Sequence, residues 1–286
     1  MNQRFPHLAQ RMFNVPLALH PAKAEVVMAA LAERLGVTQL FSAGASVMLR
    51  PSDLSEDDRA DDKGYEVLNN VALIPVQGML VQKLGCLRPY SGMTGYDGIR
   101  ANFITALYDD DVKAIVLDID SPGGEVGGAF DLADMIFAAR GRKPIWSILN
   151  ENAFSSAYAL ASSCDKICVP RTGGTGSIGV IAMIADISKA LSNAGVSVNI
   201  IQFGARKADG YPEVPFTPKA RARFQKDVNT IGSIFVNTVA RNRQIKTSAV
   251  IGQQATTFLG QEGVRAGLAD YVAAPDAAFN ALLKTL

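Results

Sequence analysis

The chain has 286 residues, 48% of them hydrophobic and 19% charged, and carries 28 Lys and Arg against 27 Asp and Glu. That length and apolar content allow a full buried core and exclude a disordered chain. A net charge of +1 excludes the clustered basic footprint of a nucleic-acid binder.

Residues 1–20 read as an irregular arm, and the N-terminus lacks the apolar core of a signal peptide. This arm holds both histidines of the chain, His7 and His20, so a catalytic serine would have to find its base elsewhere. Residues 21–36 read as one helix, with Pro21 in its first turn, Val27, Leu31 and Leu35 at fourfold spacing, and Gly36 as a stop. Residues 51–64 are polar and hold Glu56, Asp57, Asp58, Asp61 and Asp62, the charge density of a solvated linker. The domain boundary is placed there, with an N-terminal arm over 1–64 and a folded domain over 65–286.

Residues 71–76 and 114–119 are short β-branched runs bounded by turn residues, as buried strands are. Between them, residues 96–108 carry Ile99, Phe103 and Leu107 at helical spacing. A second helix is expected over 126–140, then a strand over 144–149, a small-residue helix over 156–163 and a strand over 166–169. Residues 218–243 form a long amphipathic helix with Phe224, Val228, Ile231, Phe235 and Val239 as its stripe. Alternating strands and helices predict an α/β fold with parallel pairing and right-handed βαβ units. No apolar run approaches the roughly 18 residues that suggest a membrane span; the best, residues 178–185, is closed by Asp186. Cys86, Cys164 and Cys168 form no CxxC pair and read as buried thiols of a reducing compartment. The expected location is the cytoplasm.

Four segments can carry chemistry. In Ser121-Pro122-Gly123-Gly124 a strand ends, and two glycines let bare backbone N–H groups point outward where a helix begins. That is the geometry of an oxyanion hole, although an ordinary strand-to-helix turn has the same residues. In Ala153-Phe154-Ser155-Ser156-Ala157-Tyr158 a strand feeds a small-residue helix and places Ser155 at its start, as nucleophile or as plain N-cap. Ser156 is the alternative nucleophile. In Thr175-Gly176-Ser177-Ile178-Gly179, Ser177 on a glycine-flanked turn can hydrogen-bond an amine. Lys207 follows Gly204-Ala205-Arg206; as a general base it would need desolvation that lowers its pKa by about three units, roughly 4 kcal/mol. Asp209, if it pointed the same way, would oppose that shift. No phosphate-binding loop, HExxH, EF-hand or Cys/His metal cluster is present, so neither metal nor cofactor is expected.

The ordered succession SPGG, A-x-S-x-x-Y, TGSIGV and G-x-x-K resembles the signal peptide peptidase (protease IV) family, over roughly residues 67–272. Its G-x-x-A-x-x-x-G-L-x-D ending is matched by residues 260–270 apart from the alanine position, Gly263, which Val264 follows. The resemblance implies a fold shared with crotonases and the Clp protease subunit, a Ser–Lys dyad of Ser155 and Lys207, Ser177 as the lysine-orienting serine, and Gly123 and Gly124 as the oxyanion turn. Ser156-Ala157 stands where many members have Gly-Gly, which narrows that wall. The opening around residues 13–25 and residues 88–97 look like the phage branch, the prohead proteases of lambda-like tailed phages. For that branch the implied substrates are scaffold and portal proteins, and the implied assembly is a homo-oligomeric ring in which Lys207 can serve a neighbour's Ser155. Some members carry a scaffold-like extension, which would be absent here or belong to another product. The rival readings are a soluble bacterial peptidase for signal-peptide remnants or short peptides, a crotonase-type acyl-CoA enzyme, and a capsid-assembly protein with a vestigial dyad.

Overall fold

A computed structural model describes residues 16–20 and 63–286. The helix expected over 21–36 and nearly all of the acidic linker lie outside the described residues. Chain order runs β1 (Pro16–Leu19), β2 (Glu66–Leu68), β3 (Val71–Gln77), β4 (Met79–Val81), β5 (Met93–Gly95), α1 (Tyr96–Tyr108), β6 (Ala114–Ser121), β7 (Gly123–Glu125) and α2 (Ala129–Ala138). It continues with β8 (Ile145–Phe154), α3 (Ser156–Ser162), β9 (Lys166–Val169), β10 (Gly174–Gly176), β11 (Ile181–Ala182), α4 (Ser188–Asn193) and α5 (Pro218–Arg243). It closes with α6 (Thr247–Gly252), β12 (Thr257–Leu259), α7 (Gln261–Arg265), β13 (Tyr271–Val272) and α8 (Pro275–Leu283).

The α/β class expected from the alternation is the class found. The larger sheet runs β12-β10-β8-β6-β3-β2, and β3, β6, β8 and β10 are mutually parallel along it. It forks at β8, whose first half pairs with β9 and whose last three residues pair with β10. A smaller sheet runs β11-β1-β7-β4-β5.

Successive side chains of β6 point to opposite faces, and both faces are filled at its start. Ile115, Leu117 and Ile119 join one core cluster with Phe103, Leu132, Tyr158 and Phe235, while Ala114 and Val116 join a second with Trp146, Ala278 and Leu282. The second cluster ends where the same parity reaches Asp118 and Asp120, so α8 covers only the near half of that face. Burial, and then the neighbouring Asp120 charge, push the Asp118 carboxyl upward.

Helix boundaries differ from expectation where glycine decides. The helix expected from Val126 begins at Ala129, because Gly128 holds φ 85°, a left-handed conformation outside the helical basin. The long helix matches 218–243, with Pro218 in its first turn and the Thr217 hydroxyl accepting the Ala220 N–H. Of its expected stripe, Phe235 and Val239 are buried; Phe224, Val228 and Ile231 are only half-buried. Its N-terminal half therefore runs past the core it was expected to cover.

The family-like ending is tied into this core. Arg243 grips both carboxylate oxygens of Asp270 at 3.1 and 2.9 Å, and Asp270 also accepts the Ile167 N–H at 2.6 Å. The fully buried Tyr158 hydroxyl donates to the Leu268 carbonyl at 2.9 Å. All three cysteines are free, and burial pushes the Cys164 thiol well up, out of thiolate reach.

Candidate active site

Three adjacent parallel strands end at one level and present the residues that the sequence singled out. β6 runs into Ser121 and the glycine turn, β8 into Ser155, and β10 into Ser177. Phe154 is opposite Gly176, and Ala153 is opposite both Thr175 and Ser121. The carboxyl edge of a parallel sheet is where open α/β folds place their ligands.

Ser155 caps α3 with φ 55° and ψ −124°, a conformation that residues bearing a Cβ rarely adopt. It is held by the bond from its N–H to the Gly176 carbonyl at 2.9 Å and by the Ala159 N–H on its own carbonyl at 3.1 Å. The side chain is 1% exposed, yet among the described residues its Oγ has no hydrogen-bond partner. A strained, buried and unspent hydroxyl is what a nucleophile requires and a plain N-cap does not: as a cap, the hydroxyl would accept from its own helix. Ser156 is already within the helix; its Oγ, near the Tyr96 hydroxyl, also lacks a bond of good geometry.

Ser177 repeats the pattern on the next strand. It is 5% exposed with φ 54°, its N–H donates to the Thr256 carbonyl at 3.0 Å, and its carbonyl accepts from Gly179.

The glycine turn differs from expectation. Gly123 and Gly124 do not lead into a helix but open β7, with β1 on one side and β4 on the other. Their lack of side chains is a packing requirement: a Cβ on Gly124 would run into the Leu80 backbone, and one on Gly123 into the Ala18 carbonyl and to 2.9 Å from Ser155 Cβ. The Gly123 N–H donates to Ser121 Oγ at 3.1 Å, and that hydroxyl donates to the Gly78 carbonyl at 2.7 Å. Ser121 thus holds the turn from beneath, a role that its motif alone did not show.

Lys207 lies exposed on a turn, its N–H bonded to the Gly204 carbonyl at 3.0 Å, and Ser155 Oγ has no bond from it. Asp209 is turned away into an ion pair with Arg223 at 3.1 Å. A correction concerns His20, expected on an irregular arm. Its ring stacks on Phe154 at 4.9 Å, one residue before Ser155, because residues 16–19 form β1; His20 makes no hydrogen bond to Ser155 Oγ. His7 lies outside the described residues. Among the described residues no group of three His, Cys, Asp or Glu side chains could hold a metal, and no helix is long and apolar enough to cross a membrane.

The model of the family described as peptidase family S49 matches residues 138–286. The head-tail preconnector protein GP5 of Enterobacteria phage P21 is 40% identical over 94% of this chain and 55% of its own length. The capsid assembly protease C of Escherichia phage lambda is 38% identical over 94% of this chain and 63% of its own. The chain therefore spans a little over half the length of these two relatives. Among solved structures, an enoyl-CoA hydratase from Shewanella pealeana aligns over 77% of this chain and 72% of its own at 11% identity, with a TM-score of 0.45.

Proposed function

This chain belongs to peptidase family S49, and from that premise we propose that it is a phage or prophage serine endopeptidase that processes scaffold and portal proteins during capsid maturation. The observation that carries the reading is the convergence of Gly123, Ser155 and Ser177 on neighbouring strand ends, with the Ser155 hydroxyl buried and unspent. The 94% coverage by two phage head proteins, one of them called a capsid assembly protease, supports the viral setting.

In this mechanism Ser155 Oγ attacks a peptide carbonyl as Lys207, neutral, takes its proton. The N–H groups of Gly123 and Gly124 stabilise the oxyanion. The leaving amine departs with a proton returned from Lys207, which then activates water to release the acyl group from Ser155. Ser177 directs the lysine amine. Because Lys207 is exposed and makes no bond to its own Ser155 Oγ, it serves the Ser155 of a neighbouring copy. Burial between copies then supplies the desolvation that favours a neutral amine. The partners are protein substrates and further copies of this chain in a ring.

The test is incubation of wild type, Ser155→Ala and Lys207→Ala with purified scaffold and portal proteins, read by intact mass. Defined cuts by wild type alone are expected. Cutting of unfolded peptides while both head proteins stay intact would replace the viral role with a housekeeping peptidase. Cutting that survives Ser155→Ala would move the nucleophile to Ser156 or end the Ser–Lys mechanism.

A further inference from the structure

We propose that the gap between β7 and β11 is a groove for an extended peptide, and that the chain's own residues 16–20 occupy it in the resting enzyme. The proposal rests on Ser155 being the nucleophile.

Position is the first argument. β1 runs antiparallel to β7, with Ala18 opposite Gly124 and Leu19 opposite Gly123, and antiparallel to β11, with Leu17 opposite Ile181. The Gly123 site is crowded by the Ala18 carbonyl from one side and Ser155 Cβ from the other. One residue on, the His20 N–H donates to the Pro122 carbonyl at 2.9 Å and its ring covers Phe154. Five consecutive residues thus track past the nucleophile in the manner of a peptide added to a sheet edge.

The second argument is access. Ser155 is 1% exposed, and a sealed hydroxyl cannot meet a substrate carbonyl, so something beside it must leave. β8, β10 and α3 belong to the central parallel core. β1 is four residues long and is held by pairing along its two edges. Its departure would bare β7 and β11 together, directly beside Ser155. The Gly123 N–H, committed to Ser121 Oγ, marks the same closed state, since that donor must turn outward to meet an oxyanion.

The third argument names the ligand. Alternation along the strand puts Leu17 and Leu19 on one face and Ala18 on the other. Ala18 is wholly buried within the main core cluster, and Leu17 and Leu19 are 2% and 4% exposed without joining it. The groove floor has room for a methyl group, and the opposite side takes branched apolar side chains. The peptide it accepts is therefore an extended apolar–small–apolar segment, and it binds by displacing a resident one of that pattern.

The experiment uses the full chain with Leu17→Cys and Ile181→Cys. Opposed antiparallel residues have Cα atoms about 4.5–5.5 Å apart, which a disulfide spans. The readout is the rate at which a fluorophosphonate labels Ser155, with the modified residue located by peptide mass mapping. Oxidation pins β1 in the groove and removes the open form, so it should slow labelling roughly tenfold or more whatever the resting population, and reductant should restore it. In a second variant, Leu19→Ser, a loosened strand should label faster than wild type. Equal rates for the oxidised and reduced forms would overturn the groove while leaving the nucleophile in place. Failure of the two cysteines to join would overturn it through the register. If Ser155 stays unlabelled in every form while Ser155→Ala still cuts peptides, the nucleophile reading falls and takes the groove with it.

Discussion

Gly123, Ser155 and Ser177 sit at buried strand ends, whereas Lys207 sits on a turn open to solvent. The first region is buried, and its backbone is constrained at φ angles that only surrounding structure can hold. The second belongs to an excursion, residues 187–216, in which positions 192–207 are all exposed. Ile201 and Phe203 are as exposed as free side chains, and Val196, Val198 and Ile200 are more than a third exposed. Burying a side chain of that size is worth about 1.5–3 kcal/mol, which this sixteen-residue stretch forgoes repeatedly within its own chain; on the proposal of a shared dyad it is the stretch that would meet a neighbouring copy. On the mechanism proposed above, one region of the site is completed by folding and the other by association.

The sharpest way to break that contrast is to mix two inactive proteins. Ser155→Ala and Lys207→Ala should each lose peptidase activity by about 10⁴-fold or more, the scale seen when a catalytic unit loses a member. If each Lys207 serves a neighbour, co-assembly at equal amounts leaves about one interface in four with both groups intact, and roughly a quarter of wild-type activity returns. A dyad formed within one chain would return none, and the contrast between the two regions would lose its functional meaning.

A smaller effect is expected from the apolar surface itself. Ile201→Asp combined with Phe203→Asp touches nothing within the domain, so thermal unfolding of the separated subunit should not change. Light scattering should show dissociation, and activity should become steeply dependent on protein concentration. An unchanged oligomer would mean that these side chains serve another partner.

How much of this was legible in sequence follows the same division. Helices α1 and α5 and strand β9 begin and end where periodicity and Pro218 placed them, because their signals are local. Ser155, Ser177 and the two glycines could be singled out because small residues at strand ends form compact patterns. β1 was missed: Pro16 to Leu19 is too short for alternation to register, and it is a strand only because β7 and β11 flank it. β7 was misread as the approach to a helix, since a Gly-Gly pair marks a tight approach without saying which backbones approach. The stripe of α5 was overextended for a related reason, because Phe224, Val228 and Ile231 have the right spacing for a core that stops before reaching them. Periodicity shows which face is apolar and says nothing of what covers it.

The smallest predicted effect concerns the base of the excursion and follows from pH. Asp186 accepts the Ser188 hydroxyl at 2.6 Å and the Phe216 and Ser188 N–H groups at 3.0 Å, and these bonds hold its carboxyl below the usual range. A carboxyl held low in the folded state adds stability above its ordinary value near 3.9 and loses it as pH falls through the depressed value. The Ser177 N–H, by contrast, is bonded to the Thr256 carbonyl, which does not titrate. Hydrogen-exchange protection of the Phe216 amide should therefore hold from about pH 8 to 5 and weaken below about pH 4, while that of Ser177 persists. Asp186→Ala should abolish the pH dependence by removing protection of Phe216 throughout. Joint loss of both amides at one pH would mean that the excursion and the strand ends open as a single unit, and that the separation between a folded and an associating half of the site is not energetic.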